Sequence, residues 1–128
     1  MYPEDLKYTK DHEWVKLEGM EAIIGITDHA QSALGDITFI ELPKETTMVN
    51  QGDTISTIES VKAASDIFTP VSGRISDINK KLENAPEIIN QSPYDEGWIC
   101  RIEINDETEL EKLMTAEEYE KYLDKDNN

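Results

Sequence analysis

The sequence contains little of what several large classes of protein require. It has one cysteine, Cys100, among 128 residues, so a framework of internal disulfides is excluded. Its longest apolar run, residues 22–26, is far shorter than the roughly 20 residues that a helix needs to cross a bilayer. We therefore expect no membrane-spanning segment. Cys100 lies in an apparent strand over residues 98–104, so we expect its thiol to be buried and apolar.

Positive charge is also scarce. The chain has 12 basic against 28 acidic residues, with a formal net charge of -16. Such a field repels phosphate backbones, so we expect no nucleic-acid partner. It would instead steer the chain toward partners with basic docking faces. An excess of acid also favours solubility on its own, and composition does not separate the two roles.

Motifs for metal binding and for catalysis are missing as well. The two histidines, His12 and His29, have no second ligand at the spacing of a metal motif. His29 follows Asp28, but no serine or cysteine stands in a recognised nucleophile motif, and no glycine-rich phosphate loop occurs. We therefore expect no metal site and no catalytic residues.

The first residues lack the features of a targeting segment. They have neither the basic and apolar regions of a secretory signal nor the arginine-rich character of an organellar transit peptide. We expect a bacterial cytoplasmic protein, or one of the mitochondrial matrix if the chain is a processed eukaryotic form.

What the sequence does contain is a lysine between two strand-like runs. Residues 54–58 and 66–69 alternate apolar and polar side chains and are rich in β-branched residues. The second run ends at Pro70 and Gly73, which are typical turn residues. Between the runs, Lys62 has only Val61 and small residues as neighbours. The pattern predicts a β-hairpin that presents Lys62 at its bend, although most lysines near turns are simply solvated charges.

A wider pattern around this hairpin resembles the lipoyl- and biotin-carrier modules, in which a hairpin lysine carries the prosthetic group through an amide. The matching residues are Val49, Gly52, Asp53, Ile55, Ile58, Glu59, Ser60, Lys62, Ile67, Pro70, Gly73 and Ile75. Biotin carriers have methionine on both sides of the lysine, whereas Lys62 lies between Val61 and Ala63. Lipoate is therefore the better match.

Further segments resemble the glycine cleavage system H-protein family, in that family's order. They are residues 8–15, 25–31, 34–37, 41–43 and 92–98, and the agreement extends from about Leu6 to Tyr122. One departure is visible, because family members usually have a glycine shortly after the Leu-Pro pair and residues 44–48 contain none. A turn with positive φ is strained without glycine, so we expect this loop to take another conformation.

The resemblance implies a non-catalytic carrier with lipoate joined to Lys62. The recognition context beside that lysine would be Glu59, Ser60, Val61 and Ala63. The implied partners are glycine decarboxylase with pyridoxal phosphate, aminomethyltransferase with tetrahydrofolate, dihydrolipoamide dehydrogenase with FAD, and the enzymes that attach lipoate. Between them the arm would shuttle an aminomethyl group derived from glycine.

Two carboxylates become candidates for a cleft that shelters the loaded arm. By resemblance, these are Glu13 and Asp66, which would hold the cationic aminomethyl group away from water. The sequence leaves open whether both are ordinary solvated acids.

Other functions remain open at this stage. The same hairpin would also suit a lipoyl donor that hands the group to other lipoyl-dependent enzymes in a relay. A biotin carrier is disfavoured by the residues beside Lys62.

Many short strands with Gly and Pro turns indicate a mainly β fold, and the resemblance favours a barrel-sandwich hybrid with short helices and a C-terminal helix. We expect a hairpin over residues 14–26, a helical turn over residues 29–33 that ends at Gly35, and a strand over residues 37–42. We expect one domain over residues 1–128, with a core of about 6–105, a helical segment of about 106–125, and a monomeric state.

Two capping boxes are predicted in the C-terminal segment, Asp106 with Glu109 and Thr115 with Glu118. An apolar stripe should then pack on the β core; it consists of Tyr119, Tyr122 and Leu123.

Overall fold

The computed structural model describes residues 2–126. Within them the strands are β1 (Lys7–Tyr8), β2 (Glu13–Glu18), β3 (Glu21–Ile26), β4 (Ile37–Glu41), β5 (Met48–Val49), β6 (Thr54–Ser60), β7 (Ala64–Phe68), β8 (Gly73–Ile78) and β9 (Cys100–Ile104). The helices are α1 (Asp28–Leu34), α2 (Lys81–Asn84), α3 (Ile88–Gln91) and α4 (Ala116–Asp126), with a 3₁₀ helix over Glu107–Lys112.

The strands form two antiparallel sheets. The larger sheet has the order β1-β2-β3-β9-β8-β5, and the smaller has the order β4-β6-β7. The main core is rich in isoleucine and draws on both, with Ile24, Ile75 and Ile102 from the larger sheet and Ile58 from the smaller. Burying each such side chain contributes roughly 1.5–3 kcal/mol. The mainly β fold with short helices and a C-terminal helix is confirmed.

Cys100 lies inside this core. Its side chain is fully buried, and desolvation raises the pKa of the thiol to about 12. The thiol therefore remains protonated and apolar, as the sequence predicts.

A second, aromatic cluster holds α4 against the larger sheet. The rings of Tyr8 and Tyr119 stack with their centroids 4.8 Å apart, and Leu123 is buried beside them while Tyr122 is half-buried. The predicted capping box at the start of α4 is confirmed. Glu118 Oε1 accepts from the Thr115 N–H at 2.8 Å, and Thr115 Oγ1 accepts from the Glu118 N–H at 3.2 Å.

The other predicted capping box is wrong. Asp106 accepts from the Thr108 N–H at 3.0 Å and precedes a 3₁₀ helix. The Glu109 carboxylate accepts instead from the N–H and hydroxyl of Ser72, both at 2.7 Å. Ser72, which is distant in the sequence, thus binds the Glu109 carboxylate that local spacing had assigned to a capping box with Asp106.

The loop after β4 also differs from expectation. We expected it to avoid the positive φ of a glycine turn, yet Thr46 has φ of 70°. Hydrogen bonds to β8 hold it there, because the Thr46 N–H donates to Ile75 O at 2.7 Å and the Ile75 N–H donates to Thr47 O at 2.9 Å. Long-range pairing therefore imposes a backbone conformation that a β-branched residue disfavours.

Candidate functional site

The bend between β6 and β7 carries Lys62 and is fixed by Ser60. The strands pair as far as Glu59 opposite Ala64, so the bend is shorter than the sequence suggested. The Ser60 hydroxyl oxygen accepts from the N–H groups of Lys62 at 3.2 Å and Ala63 at 3.1 Å. The Ser60 N–H also donates to Ala63 O at 2.8 Å. Serine forms such local turns readily, and here the turn holds the lysine backbone in place.

The side chain of Lys62 is exposed and lies along Gly35. A Cβ atom built at Gly35 would stand 3.2 Å from Lys62 Cε and 3.7 Å from Nζ, so the absence of a side chain at residue 35 gives the lysine its path. Within residues 2–126 the Lys62 amine has no ion pair or hydrogen bond. The amine is therefore accessible to a modifying enzyme.

A hydrogen-bonded support lies beneath the bend. The Val61 N–H donates to Asp36 O at 3.0 Å, which ties the bend to the segment between α1 and β4. Asn90 holds that segment from below, because its Oδ1 accepts from the Ile37 N–H and its Nδ2 donates to Gly35 O, both at 2.9 Å. Sequence reasoning gave Asn90 no role, since only tertiary structure brings residues 37 and 90 together.

The predicted recognition residues surround the lysine on the surface. Glu59, Val61 and Ala63 are all exposed, and Val61 retains 68% of its accessible surface. Val61 therefore presents an aliphatic side chain to solvent beside the accessible amine.

A small cavity adjoins the hairpin. It has a volume of about 170 Å³ and lies among α1, β7, the end of β3 and the loop before β2. Its lining residues are Asp11, His12, Ile26, Ala30, Ala33, Leu34, Ser65 and Ile67. Leu34 precedes Gly35, beside which the end of the Lys62 side chain lies, so the cavity begins near the amine end of that side chain. We call it the hairpin cavity.

Glu13 lies behind β7 and is only 1% exposed. Its carboxylate accepts from Thr9 Oγ1 at 2.7 Å and from the Phe68 N–H at 3.1 Å. Desolvation raises the pKa of Glu13 from 4.5 to about 7, although these two hydrogen bonds oppose the rise. At neutral pH the carboxylate is therefore partly protonated.

Asp66 has a different environment. It is exposed on β7 and accepts from Thr57 Oγ1 at 3.1 Å. Side chains alternate between the two faces of a strand, so Asp66 points away from Ser65 and Ile67, which line the hairpin cavity. The lining includes neither Glu13 nor Asp66; its acidic residue is Asp11.

Other predicted absences concern metals and membranes. Among residues 2–126, no group of three or more His, Cys, Asp and Glu side chains is arranged to hold a metal ion. None of the helices in that range has the length and apolar character needed to cross a bilayer. The rings of His12 and His29 do lie together, with centroids 4.5 Å apart.

An antiparallel two-sheet fold with one accessible lysine at a fixed hairpin bend places the chain in the class of lipoyl- and biotin-carrier modules. Comparison with known proteins narrows this class. The family model for the glycine cleavage H-protein matches residues 6–126. The chain therefore belongs to the glycine cleavage H-protein family, whose members are non-catalytic lipoyl carriers of the glycine cleavage system.

Individual relatives agree with this assignment. A glycine cleavage system H protein of Staphylococcus saprophyticus is 49% identical over 121 residues, which cover 94% of this chain and 96% of the relative. One of Staphylococcus epidermidis is 47% identical over the same shares of the two chains. The crystal structure of a glycine cleavage system H protein from Mycobacterium marinum aligns with a TM-score of 0.85 and 32% identity, covering 99% of this chain and 100% of that one. The predicted family, fold and carrier role are confirmed.

Proposed function

We propose that Lys62 is the residue to which lipoate is attached, and that the chain uses this arm to carry the aminomethyl group from glycine decarboxylase to aminomethyltransferase. The observation that carries the proposal is an exposed amine, without a partner among residues 2–126, on a bend that Ser60 holds in place. A primary amine on a flexible stem suits acylation.

The residues at the bend between β6 and β7 fit a covalently attached lipoyl group. Attachment forms an amide bond between Lys62 Nζ and the carboxyl carbon of lipoate, with the overall loss of one water molecule. The amide removes the ammonium charge, so the lysine can enter a partner's active site without burying a cation. When bound, lipoate supplies a disulfide that accepts the aminomethyl group and is reduced in the process.

The site of attachment can be tested by intact mass measurement. The variants Lys62→Arg and Lys44→Arg would be produced in cells supplied with lipoate. Lys44 is also exposed and lies in a loop, so it is a matched control. We expect the wild-type protein and Lys44→Arg to gain the mass of a lipoyl amide and Lys62→Arg to gain none. A lipoylated Lys62→Arg variant would disprove the assignment.

We further propose that the loaded arm is sheltered beside the hairpin, with Glu13 and Asp66 acting on its cationic group. The support is that both acids adjoin β7, Asp66 directly and Glu13 through the Phe68 N–H. Ammonia release from loaded Glu13→Ala and Asp66→Ala proteins would test this role. Asp11→Ala should be measured with them, because Asp11 lines the hairpin cavity. Release at the wild-type rate from a variant would exclude its residue.

The partners proposed are glycine decarboxylase, aminomethyltransferase, dihydrolipoamide dehydrogenase and the enzymes that attach lipoate. The net charge of -16 favours basic docking faces on these partners and predicts encounter rates that fall with salt. We place this function in the cytoplasm of a bacterium, because the Staphylococcus relatives are bacterial.

The second candidate function, a lipoyl relay, would require transfer of the lipoyl group to an apo dehydrogenase domain. This transfer can be measured with the same lipoylated protein.

A further inference from the structure

The hydroxyl of Tyr119 joins two segments that are far apart in the sequence. It lies 2.7 Å from His12 Nδ1 and 2.8 Å from Thr27 Oγ1. Tyr119 and Thr27 are both fully buried. Desolvation by burial raises the pKa of Tyr119, so its hydroxyl stays protonated. The hydroxyl can thus donate to one neighbour while it accepts from the other.

Both contacts lead to the wall of the hairpin cavity. His12 lines that cavity directly. Thr27 is the N-cap of α1 and accepts from the N–H of Ala30 at 3.2 Å, and Ala30 is a second lining residue. The Thr27 N–H also donates to His12 O at 3.0 Å. A single hydroxyl on α4 therefore holds both the His12 ring and the start of the helix that forms another part of the wall.

Anchoring of α4 does not depend on this hydroxyl. The Tyr119 ring stacks on Tyr8 with an interplanar angle of 6°. Ala116 and Leu123 pack in the same buried cluster. Phenylalanine would keep these apolar contacts, so the oxygen has a role separate from attachment of the helix.

His12 also has an uncommon backbone conformation and a second aromatic neighbour. Its backbone has φ of 70°, a conformation that residues other than glycine adopt uncommonly. Its ring also lies 4.5 Å from that of His29. The hydrogen bond with the Tyr119 hydroxyl is one of the contacts that hold the His12 ring at the wall of the cavity.

We infer that Tyr119 is a positioning residue for the sheltering of the loaded arm, acting through His12 and Thr27 on the shape of the hairpin cavity. The inference rests on the proposed function, because it assumes a lipoyl arm on Lys62. It gives α4, which lies outside the β core, a defined part in the carrier cycle.

The test compares Tyr119→Phe with Tyr122→Phe. Both tyrosines lie on α4, but the Tyr122 hydroxyl donates to the backbone oxygen of Lys10 at 3.3 Å and does not reach Thr27. Both variants should be lipoylated like the wild-type protein. After loading from glycine, Tyr119→Phe should release ammonia about fivefold faster, the factor expected for loss of one ordinary hydrogen bond, whereas Tyr122→Phe should match the wild type.

A second readout needs no lipoate. In unmodified protein labelled with ¹⁵N-histidine, Tyr119→Phe should shift the Nδ1 resonance of His12, and Tyr122→Phe should leave it in place. This shift reports the contact between Tyr119 and His12, whereas a purely structural role for Tyr119 would leave ammonia release at the wild-type rate. An unshifted His12 resonance would remove the contact on which the inference rests, and wild-type ammonia release from loaded Tyr119→Phe would overturn the inference by itself.

The outcomes also separate the inference from the proposed function. Absence of lipoate on Lys62 in the wild-type protein would defeat the proposed function, whatever the variants do. Lipoylated proteins that release ammonia at equal rates would defeat only the role of Tyr119. If Tyr119→Phe fails to fold, the His12 resonance of wild-type protein decides the matter: it should change when the lipoylated protein is loaded, and an unchanged resonance would count against the inference.

Discussion

The Lys62 side chain passes Gly35 so closely that a Cβ atom at residue 35 would stand 3.2 Å from Lys62 Cε. Gly35 also terminates α1, with φ of 79° and ψ of -156°, a backbone conformation that is essentially restricted to glycine. One residue thus ends the helix and gives the lysine side chain its path.

Replacement of Gly35 by alanine should affect both stability and modification. We expect Gly35→Ala to lower the free energy of unfolding by about 1–3 kcal/mol because of its backbone conformation. We also expect slower lipoylation of Lys62, because the added methyl group displaces the lysine side chain. Urea unfolding and the initial rate of lipoate attachment, followed by intact mass, measure the two effects.

Gly19→Ala is the control for the second effect. Gly19 has φ of 62°, but no atom lies within 4 Å of a Cβ built there. This variant should lose about 1 kcal/mol of stability and be lipoylated at the wild-type rate. If the two variants are modified equally fast, the contact with Lys62 has no role in recognition.

Glu13 should give the protein a distinctive dependence of stability on pH. Its pKa in the folded state is about 7, above its ordinary value of 4.5, so the folded state binds the proton more tightly than the unfolded state does. As pH rises from about 4.5 to about 7, the unfolded chain loses this proton first and the free energy of unfolding falls. The contribution of Glu13 should decrease by roughly 3 kcal/mol across this window and stay constant above it.

Comparison with Glu13→Gln isolates this contribution. Glutamine keeps the shape of the side chain but does not titrate, so the wild-type minus variant difference in unfolding free energy should fall between pH 4.5 and pH 7. The measurement is urea unfolding at several pH values. Glu83→Gln, which alters an exposed acid, controls for the change in net charge. A difference that is independent of pH would show that Glu13 is not buried as a carboxylic acid.

Sequence predicted well those parts of the fold that local chemistry decides. Alternation located β6 and β7, Gly35 ends α1 as expected, and the box of Thr115 with Glu118 opens α4. Each of these features depends on residues that are neighbours in the chain. Lys62 at the bend followed from the same local patterns.

The parts that sequence did not predict depend on distant residues. β1 and β5 are two-residue strands that exist because they pair with β2 and β8, and α2 was not predicted at all. The support of the bend by Asn90 spans 53 residues, and the contact of His12 with Tyr119 spans 107. Spacing along the chain carries no signal for such contacts, so the hairpin and its lysine were predictable while the supports around them were not.

Thr46 provides the clearest test of strain that distant pairing imposes. Its φ of 70° costs a β-branched residue about 1–2 kcal/mol of stability. Glycine would remove this cost but would itself lower stability by roughly 0.5–1 kcal/mol, because it has greater conformational freedom in the unfolded chain. Thr46→Gly should therefore raise the free energy of unfolding by roughly 0.5–1 kcal/mol, measured by urea unfolding. Thr47→Gly is the matched control, because Thr47 does not have a positive φ, and it should lower stability by about 0.5–1 kcal/mol. Since both variants add the same flexibility to the same loop, opposite signs can arise only from the backbone at residue 46; destabilisation of both to the same extent would mean that Thr46 stores no strain.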